Sequence, residues 1–344
     1  MVASDNKLNF ENKIELVCPA GSLPALRAAV DNGADAVYIG FRDATNARNF
    51  PGLNFSVAEA EKGIKYAHNK NAKVLLALNT FPQPADWTVW TNAIDNAVKL
   101  GVDAVILADP GLMRYATKNY PDLRLHLSVQ GSATNKHAIG FFKDHFNIQR
   151  IVLPRVLSLA QVNNIINNSP VEVEVFGFGS LCVMVEGRCV LSSYVTGESP
   201  NSCGVCSPAK AVKWEETPKG RQSRLNGVLI DSYGKNENAG YPTLCKGRFQ
   251  VGDDTFYAIE EPTSLNTLPI LPEIIKMGVA AIKVEGRQRS PSYVAEVTKI
   301  LRAAINACQA DPENYTPDKK WIEGLDHVSE GSSHTLGAYH RAWQ

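Results

Sequence analysis

The sequence predicts an α/β fold in which parallel strands and flanking helices close into a (β/α)8 barrel. Three stretches share one pattern, which consists of an amphipathic helical segment, a glycine and a short apolar strand. They end in GADAVYIG at residues 33–40, GVDAVILA at 101–108 and GVAAIKVE at 278–285. The glycine stands where a helix ends in a left-handed residue, and a buried strand follows it. Such repeats are typical of βα units that form a parallel sheet.

Strands of this kind can be counted along the whole chain, and there are eight. They span residues 14–18, 36–40, 73–79, 104–108, 124–129, 150–153, 171–176 and 281–285. Eight parallel strands close a TIM-barrel-like domain, and 344 residues suffice for such a barrel with an insertion. An open doubly wound sheet is the alternative, but the sequence has no GxGxxG turn to support a dinucleotide site.

The spacing of the strands divides the chain into five segments. Residues 1–12 form a polar N-terminal tail, 13–176 contain the first seven βα units, and 177–266 form a cysteine-rich insertion. Residues 267–310 contain the last βα unit and a C-terminal helix that begins near Ser290 and Pro291, and 311–344 form a C-terminal tail. The chain therefore departs from a regular barrel mainly between its last two strands.

Composition and charge exclude several classes of protein. The chain is 44% hydrophobic and 20% charged, as in ordinary globular proteins, and its formal net charge of zero argues against general nucleic-acid binding. No apolar run approaches the roughly 18 residues that span a bilayer, and the amino terminus lacks the apolar core of a signal peptide. We therefore expect a cytoplasmic protein, in which clustered cysteines bind metal or carry out redox chemistry rather than form disulfides.

Five of the seven cysteines lie in the insertion, and they are Cys182, Cys189, Cys203, Cys206 and Cys245. A zinc ribbon needs two pairs of closely spaced cysteines. Only Cys203 and Cys206, in the CGVC motif, form such a pair. Thiolates at wide spacing instead favour an iron–sulfur cluster, with glycines at 177, 179, 187 and 204 giving a bulky core close access to the backbone. Five candidates compete for four places, and spacing alone does not choose between Cys203 and Cys206.

The insertion leaves the carboxyl end of the seventh strand, where barrel enzymes hold their active sites. Polar or small residues at the other strand ends should surround the same opening: Cys18, Gly40, Asn79, Asp109, Gln130, Arg155, Glu285 and Arg287. Arg155, Glu285 and Arg287 are our candidate catalytic residues. The two arginines, together with Lys283, would suit a ligand that carries a carboxylate, because arginine binds carboxylates with two parallel hydrogen bonds.

The stretch EVFGFGSLCVMVEGRCVLS at 174–192 resembles the signature of the collagenase-like peptidase family of unassigned catalytic type. ELVCPAGSLPALRAAVDNGADAVYIG at 15–40, ENAGYPTLCKGR at 237–248 and KVEGRQRSPSYV at 283–294 are similar to the ubiquinone-biosynthesis branch of that family. The resemblance extends over nearly the whole chain, from about Ile14 to Gln344.

The resemblance implies the iron–sulfur subunit of an oxygen-independent, anaerobic hydroxylation system in ubiquinone biosynthesis. It implies a 4Fe-4S cluster whose ligands are Cys182, Cys189, Cys206 and Cys245, with Cys203 as an accessory thiol. It also implies a heterodimer with a UbiV-like paralogue that acts as a hydroxylase, a lipid-carrier protein of the anaerobic ubiquinone pathway, a ubiquinone precursor as substrate and prephenate as hydroxyl source.

Two alternatives stay open. Other branches of the family hydroxylate ribosomal or transfer RNA, so an RNA-hydroxylation factor is one of them. The family name points to a peptidase, but a nucleophilic cysteine needs a base beside it, and none of the seven histidines lies in the cysteine segment.

Overall fold

Seven parallel strands begin the barrel in the order in which they occur along the chain. The computed structural model describes residues 14–201 and 205–341. The strands are β1 (Glu15–Pro19), β2 (Ala36–Ile39), β3 (Lys73–Leu78), β4 (Ala104–Leu107), β5 (Leu125–Leu127), β6 (Arg150–Val152) and β7 (Glu172–Ser180). Each strand pairs in parallel with the next one.

Helices on the outside connect these strands. They are α1 (Leu23–Asp31), α2 (Val57–His68), α3 (Trp87–Leu100), α4 (Pro110–Asn119), α5 (Lys136–Phe146) and α6 (Leu159–Ile166). A capping box starts α2, in which the Ser56 hydroxyl accepts from the Glu59 N–H and the Glu59 carboxylate accepts from the Ser56 N–H. Gly33, Gly101 and Gly278 have φ angles of 99°, 70° and 85°, so the predicted left-handed glycines are confirmed.

The insertion contains one short helix and two small antiparallel sheets. Its elements are α7 (Leu191–Thr196), β8 (Val212–Thr217), β9 (Gly220–Leu225), β10 (Val228–Gly234), β11 (Arg248–Val251), β12 (Asp254–Tyr257) and β13 (Ser264–Asn266). Strands β8, β9 and β10 form one sheet, and β11 pairs with β12 in a hairpin.

The last barrel strand closes the circle. The remaining elements are α8 (Leu271–Lys276), β14 (Ala281–Val284), α9 (Pro291–Ala310), α10 (Lys319–Val328) and β15 (His334–Thr335). Strand β14 pairs in parallel with β7 on one side and with β1 on the other, as the partners Val175 and Leu16 of Ile282 show. The predicted closed eight-stranded α/β barrel is therefore confirmed, and Ser290 caps α9 as expected.

Strand β7 runs beyond the predicted end at residue 176. Its last part pairs with β13 in antiparallel fashion, with Ser180 opposite Ser264 and Gly179 opposite Leu265. Strand β15 then adds in parallel to the far side of β13. The insertion is thus hydrogen-bonded to the barrel where it leaves and where it returns, and residues beyond 311 contribute a helix and a strand to the same assembly.

Apolar side chains pack on both sides of the barrel wall. Between strands and helices lies a large core that includes Leu16, Leu76 and Leu301, all fully buried. The interior has a smaller core that includes Tyr38, Leu75 and Ile106. Within the described ranges, no helix is both long and apolar enough to cross a membrane.

Buried charges replace apolar residues deeper in the barrel. The Glu174 carboxylate is fully buried and accepts from Lys283 Nζ at 2.7 Å and from Arg150 Nη1 at 3.3 Å. Each of these three charged groups has a partner of opposite charge, because removing an unpaired ion from water is costly. Lys283, which the sequence predicted to bind a ligand, therefore forms an ion pair with Glu174.

Candidate active site at the barrel mouth

Four cysteines from separate segments of the insertion form one group. Burial raises the pKa of the Cys182 thiol to about 12, and both Glu186 and Cys206 raise it further. Burial also raises the pKa of Cys206 and of Cys245, and in both cases Cys189 adds to the increase. Charges act on each other in this way only when they lie close together. Cys203 lies outside the described residues.

The cysteines do not form a compact site for a single ion. Among residues 14–201 and 205–341, no three His, Cys, Asp or Glu side chains are arranged to hold one metal ion. A mononuclear zinc site would need its sulfur ligands about 2.3 Å from one point. A 4Fe-4S cluster takes one thiolate at each of its irons, so its ligands stand farther apart. Four neighbouring thiols without a common centre are compatible with the second arrangement.

The glycines of the motif serve contacts within the protein. Gly187 has a φ of 90°, and a Cβ there would lie 2.1 Å from the carbonyl oxygen of Gln130. Gly179 has a φ of 126°, and a Cβ there would lie 2.6 Å from Cβ of Glu285. The sequence interpretation assigned these glycines to contact with an inorganic core. Their observed role is to let the cysteine loop pack against two other strand ends.

A cleft opens at the carboxyl ends of the barrel strands. Its volume is about 610 Å³, including the part open to solvent. Its wall includes the predicted residues Asn79, Gln130, Arg155, Lys283, Glu285 and Arg287. Two other predicted residues have structural contacts instead. Cys18 is buried and accepts a hydrogen bond from Thr298, and Asp109 caps α4 by accepting from the Leu112 N–H. Gly40 lies directly against the guanidinium of Arg287.

Arg155 is buried and hydrogen-bonded through two of its nitrogen atoms. Its Nε donates to Glu186 Oε1 at 2.8 Å, and Nη1 donates to the carbonyl oxygen of Ser180. Its guanidinium lies 4.5 Å from the centre of the Phe176 ring. Burial disfavours the charge, but Glu186, Cys182 and Glu285 together outweigh burial, so the pKa of Arg155 is raised. The arginine therefore holds the cysteine loop, through Glu186, onto the end of β7.

Arg287 is buried in a different electrostatic setting. Its Nη1 donates to Asn46 Oδ1 at 2.7 Å, and its guanidinium carbon lies 5.5 Å from the centre of the Tyr38 ring. In the described part of the chain it forms no ion pair within 4.0 Å. Burial lowers its pKa to about 10, so it remains charged at neutral pH. A buried cation with no carboxylate at salt-bridge distance is suited to bind an anionic group.

Two residues that line the cleft each have a buried acceptor without a hydrogen-bond partner in the described structure. They are Oε2 of Glu186 and Oε1 of Gln130, and both residues line the cleft. An orphaned buried acceptor is costly, so it is usually satisfied by water or a ligand. The cleft thus offers one unpaired cation and two acceptors for the donors of a bound molecule. Glu285, by contrast, accepts from Gln288 at 3.2 Å.

Tyr38, Arg48 and Glu186 are among the cleft residues that sequence reasoning missed. Tyr38 lies inside a strand pattern that predicts core, and its ring stands 4.0 Å from Lys283 Nζ. Arg48 comes from the long loop after β2, and its charge lowers the pKa of Cys206. Glu186 lies between Cys182 and Cys189. Its position within this cysteine motif is the signal by which the sequence could have identified it. Arg48 and Glu186 thus belong to both the cleft and the cysteine group.

Comparison with known proteins assigns the chain to a family. The sequence profile of peptidase family U32 matches residues 21–341. This chain belongs to peptidase family U32. The assignment agrees with the resemblance carried by the stretch around Cys182 and Cys189.

Three U32 relatives illustrate what the family contains. The tRNA hydroxylation protein P1 of Bacillus subtilis is 30% identical over 331 residues, which cover 96% of this chain and 72% of that protein. The tRNA hydroxylation protein P of Escherichia coli is 30% identical over 338 residues, which cover 92% of this chain and 73% of that protein. An uncharacterized protease of Methanocaldococcus jannaschii is 35% identical over 299 residues, covering 86% and 65%. This chain therefore spans about two thirds to three quarters of these U32 proteins.

The buried ion pair between Arg155 and Glu186 should be essential for stability. We expect Glu186→Ala to lower the free energy of unfolding by about 3–5 kcal/mol, because it leaves Arg155 buried and unpaired. Urea unfolding followed by circular dichroism measures this difference. The matched control is Glu216→Ala, which breaks the exposed pair with Arg221 and should cost about 0–1 kcal/mol. Equal losses in the two variants would contradict the assignment.

Proposed function

We propose that this chain is the iron–sulfur subunit of an oxygen-independent hydroxylation system in ubiquinone biosynthesis, as in the protein UbiU. Membership of a family whose relatives include tRNA hydroxylation proteins supports hydroxylation as the reaction class. The motifs that resemble the ubiquinone-biosynthesis branch support the quinone precursor as substrate. The observation that carries the proposal is that the cysteine group and the cleft share residues, namely Arg48, Arg155 and Glu186.

The cysteines would hold the cofactor in this proposal. Cys182, Cys189, Cys206 and Cys245 are the ligands, and the cofactor is a 4Fe-4S cluster. When bound, such a cluster supplies one-electron transfer at the wall of the cleft. Arg155 and Arg48 lie near the thiols and would offset part of the negative charge that four thiolates bring.

The cleft would bind the molecule that supplies the hydroxyl group. Prephenate, the hydroxyl source that the resemblance implies, carries carboxylates and a hydroxyl group. Arg287 would bind a carboxylate, since it is charged, buried and without a carboxylate at salt-bridge distance. The unsatisfied oxygens of Glu186 and Gln130 would accept from the hydroxyl group. Arg155 and Glu285 are engaged by other protein groups, so of the three candidate catalytic residues Arg287 has the clearest role.

The partners belong to the same proposal. Val190 directly follows Cys189 and Tyr194 lies five positions after it, and the two side chains are 64% and 92% exposed. Apolar side chains next to a redox site would be covered in a complex, which supports a heterodimer with a UbiV-like paralogue. The lipid-carrier protein would present the ubiquinone precursor to that complex.

A second candidate is hydroxylation of RNA, which the names of the relatives from Bacillus subtilis and Escherichia coli favour. RNA binding depends on unpaired basic residues that replace counterions on phosphates. On the β8–β9 sheet, however, Lys213 and Arg224 pair with Glu215, and Arg221 pairs with Glu216. This neutralised surface gives little support to a tight RNA complex.

A peptidase would need an activated nucleophile. Within the ranges described, no hydrogen bond or ion pair joins a histidine to a cysteine thiol. The Ser180 hydroxyl accepts from Lys246 Nζ at 2.9 Å and donates to Glu330 Oε2 at 2.8 Å, and Lys246 also pairs with Glu330. These contacts give little support to proteolysis.

Deletion of the gene tests the proposed pathway. We expect quinone production to stop without oxygen and to continue with oxygen, because oxygen-dependent hydroxylation replaces the proposed reaction. Quinone content of cells grown in both conditions, measured by mass spectrometry, decides. An equal aerobic defect, or a loss of hydroxylated tRNA with normal quinone, would contradict the proposal and favour the RNA candidate.

Cysteine variants test the ligand set. After anaerobic reconstitution, Cys206→Ala should retain less than half of the wild-type iron and sulfide, because one thiolate of four is missing. Cys203→Ala is the matched control and should retain wild-type amounts. Iron and acid-labile sulfide assays measure both, and the reverse order would overturn the assignment.

A further inference from the structure

The last part of the chain sends one carboxylate into the region of the cysteines. Glu330 follows α10, and its N–H donates to the Ser264 hydroxyl of β13 at 2.8 Å. Its side chain is only 9% exposed. Gly331 has a φ of 63°, and a Cβ there would lie 2.3 Å from the carbonyl oxygen of Pro262. Close packing against Pro262 therefore holds Glu330 in place beside the end of β7.

The carboxylate of Glu330 contacts three other segments. Oε2 accepts from the Ser180 hydroxyl at 2.8 Å and from Lys246 Nζ at 2.5 Å. Oε1 accepts from the Tyr241 N–H at 3.1 Å. Lys246 also donates to the Ser180 hydroxyl at 2.9 Å, so serine, lysine and glutamate form a closed triangle. Bonds of this kind between charged and buried groups are the stronger hydrogen bonds of proteins.

Each of these segments leads to a candidate cysteine. Ser180 stands two residues before Cys182, and Lys246 directly follows Cys245. The Tyr241 hydroxyl accepts from the Ser207 N–H at 3.0 Å, and Ser207 directly follows Cys206. The Ser207 hydroxyl in turn donates to the carbonyl oxygen of Pro242 at 2.7 Å. One carboxylate thus joins chain segments that are far apart in sequence and that carry three of the four proposed ligands.

We propose that Glu330 is a positioning residue for the cysteine site: it fixes the segments of Cys182, Cys206 and Cys245 relative to one another. Cluster binding needs several thiols at defined separations, and loops alone hold such separations poorly. The role in cluster binding rests on the function proposed above. The role in holding the thiols does not need a bound cofactor, so it can be tested separately.

The first measurement uses the full chain without metal. We expect Glu330→Gln to raise the rate of alkylation of Cys206 and Cys245 by iodoacetamide about tenfold, because the cysteine segments lose charged hydrogen bonds and open more often. Peptide mass spectrometry gives the rate for each thiol. The control is Glu323→Gln, which removes an exposed carboxylate on α10 and should leave both rates unchanged.

The second measurement uses protein reconstituted anaerobically with iron and sulfide. Glu330→Gln should retain less than half of the wild-type iron, with an altered electron paramagnetic resonance spectrum after reduction. Wild-type alkylation rates and wild-type iron in this variant would overturn the proposal, even if its melting temperature falls. If the variant does not fold, Glu330→Asp keeps the charge but shortens the reach. Raised alkylation in folded Asp protein supports the proposal, and unchanged rates reject it.

The two measurements separate the two proposals. If wild-type protein takes up no iron and sulfide, the proposal of a cluster is wrong. The alkylation rates still test the role of Glu330 in that case. If wild-type protein takes up iron and the Glu330 variants behave like it, the cluster stands and the positioning role fails.

Discussion

The extension of β7 beyond the barrel is the constraint on which the site depends. Its first part pairs with β6 and β14 inside the closed sheet, whereas its last residues pair with β13 at the point where the insertion returns. The long cysteine-rich excursion therefore starts and ends on one pair of strands. A loop tied at both ends loses less freedom when its parts are brought together. This tie places Cys182 two residues beyond the end of β7, near Arg155 and Glu186 of the cleft.

Electrostatics then distinguish between residues that build the site and residues that are available to a ligand. Arg155 is bound by Glu186 and by the backbone of β7, so its charge holds the cysteine loop in place. Arg287 has a neutral hydrogen-bond partner, Asn46, and no carboxylate at salt-bridge distance in the described chain. Two arginines that look equivalent in sequence therefore have different electrostatic surroundings. The difference arises from one carboxylate, Glu186, which the cysteine loop supplies.

The sequence predicted the barrel well because its signals are local. A glycine after a helix and an apolar strand report on backbone geometry within a few residues, as Gly101 and β4 illustrate. The cleft was harder to predict, since Arg48 and Tyr38 reach it from a loop and from inside a strand. Glu330 could not be predicted from the sequence, because its role depends on contacts with residues 84 to 150 positions earlier. Such contacts leave no periodic pattern in the sequence.

The adjacency of cysteines and cleft is the central claim, and one spectrum tests it. The electron paramagnetic resonance spectrum of reduced, anaerobically prepared protein should be recorded with and without prephenate. We predict a 4Fe-4S signal that changes when prephenate binds, because Glu186 contacts both regions. A protein without an iron–sulfur signal, or a signal that saturating prephenate leaves unchanged, would contradict the account.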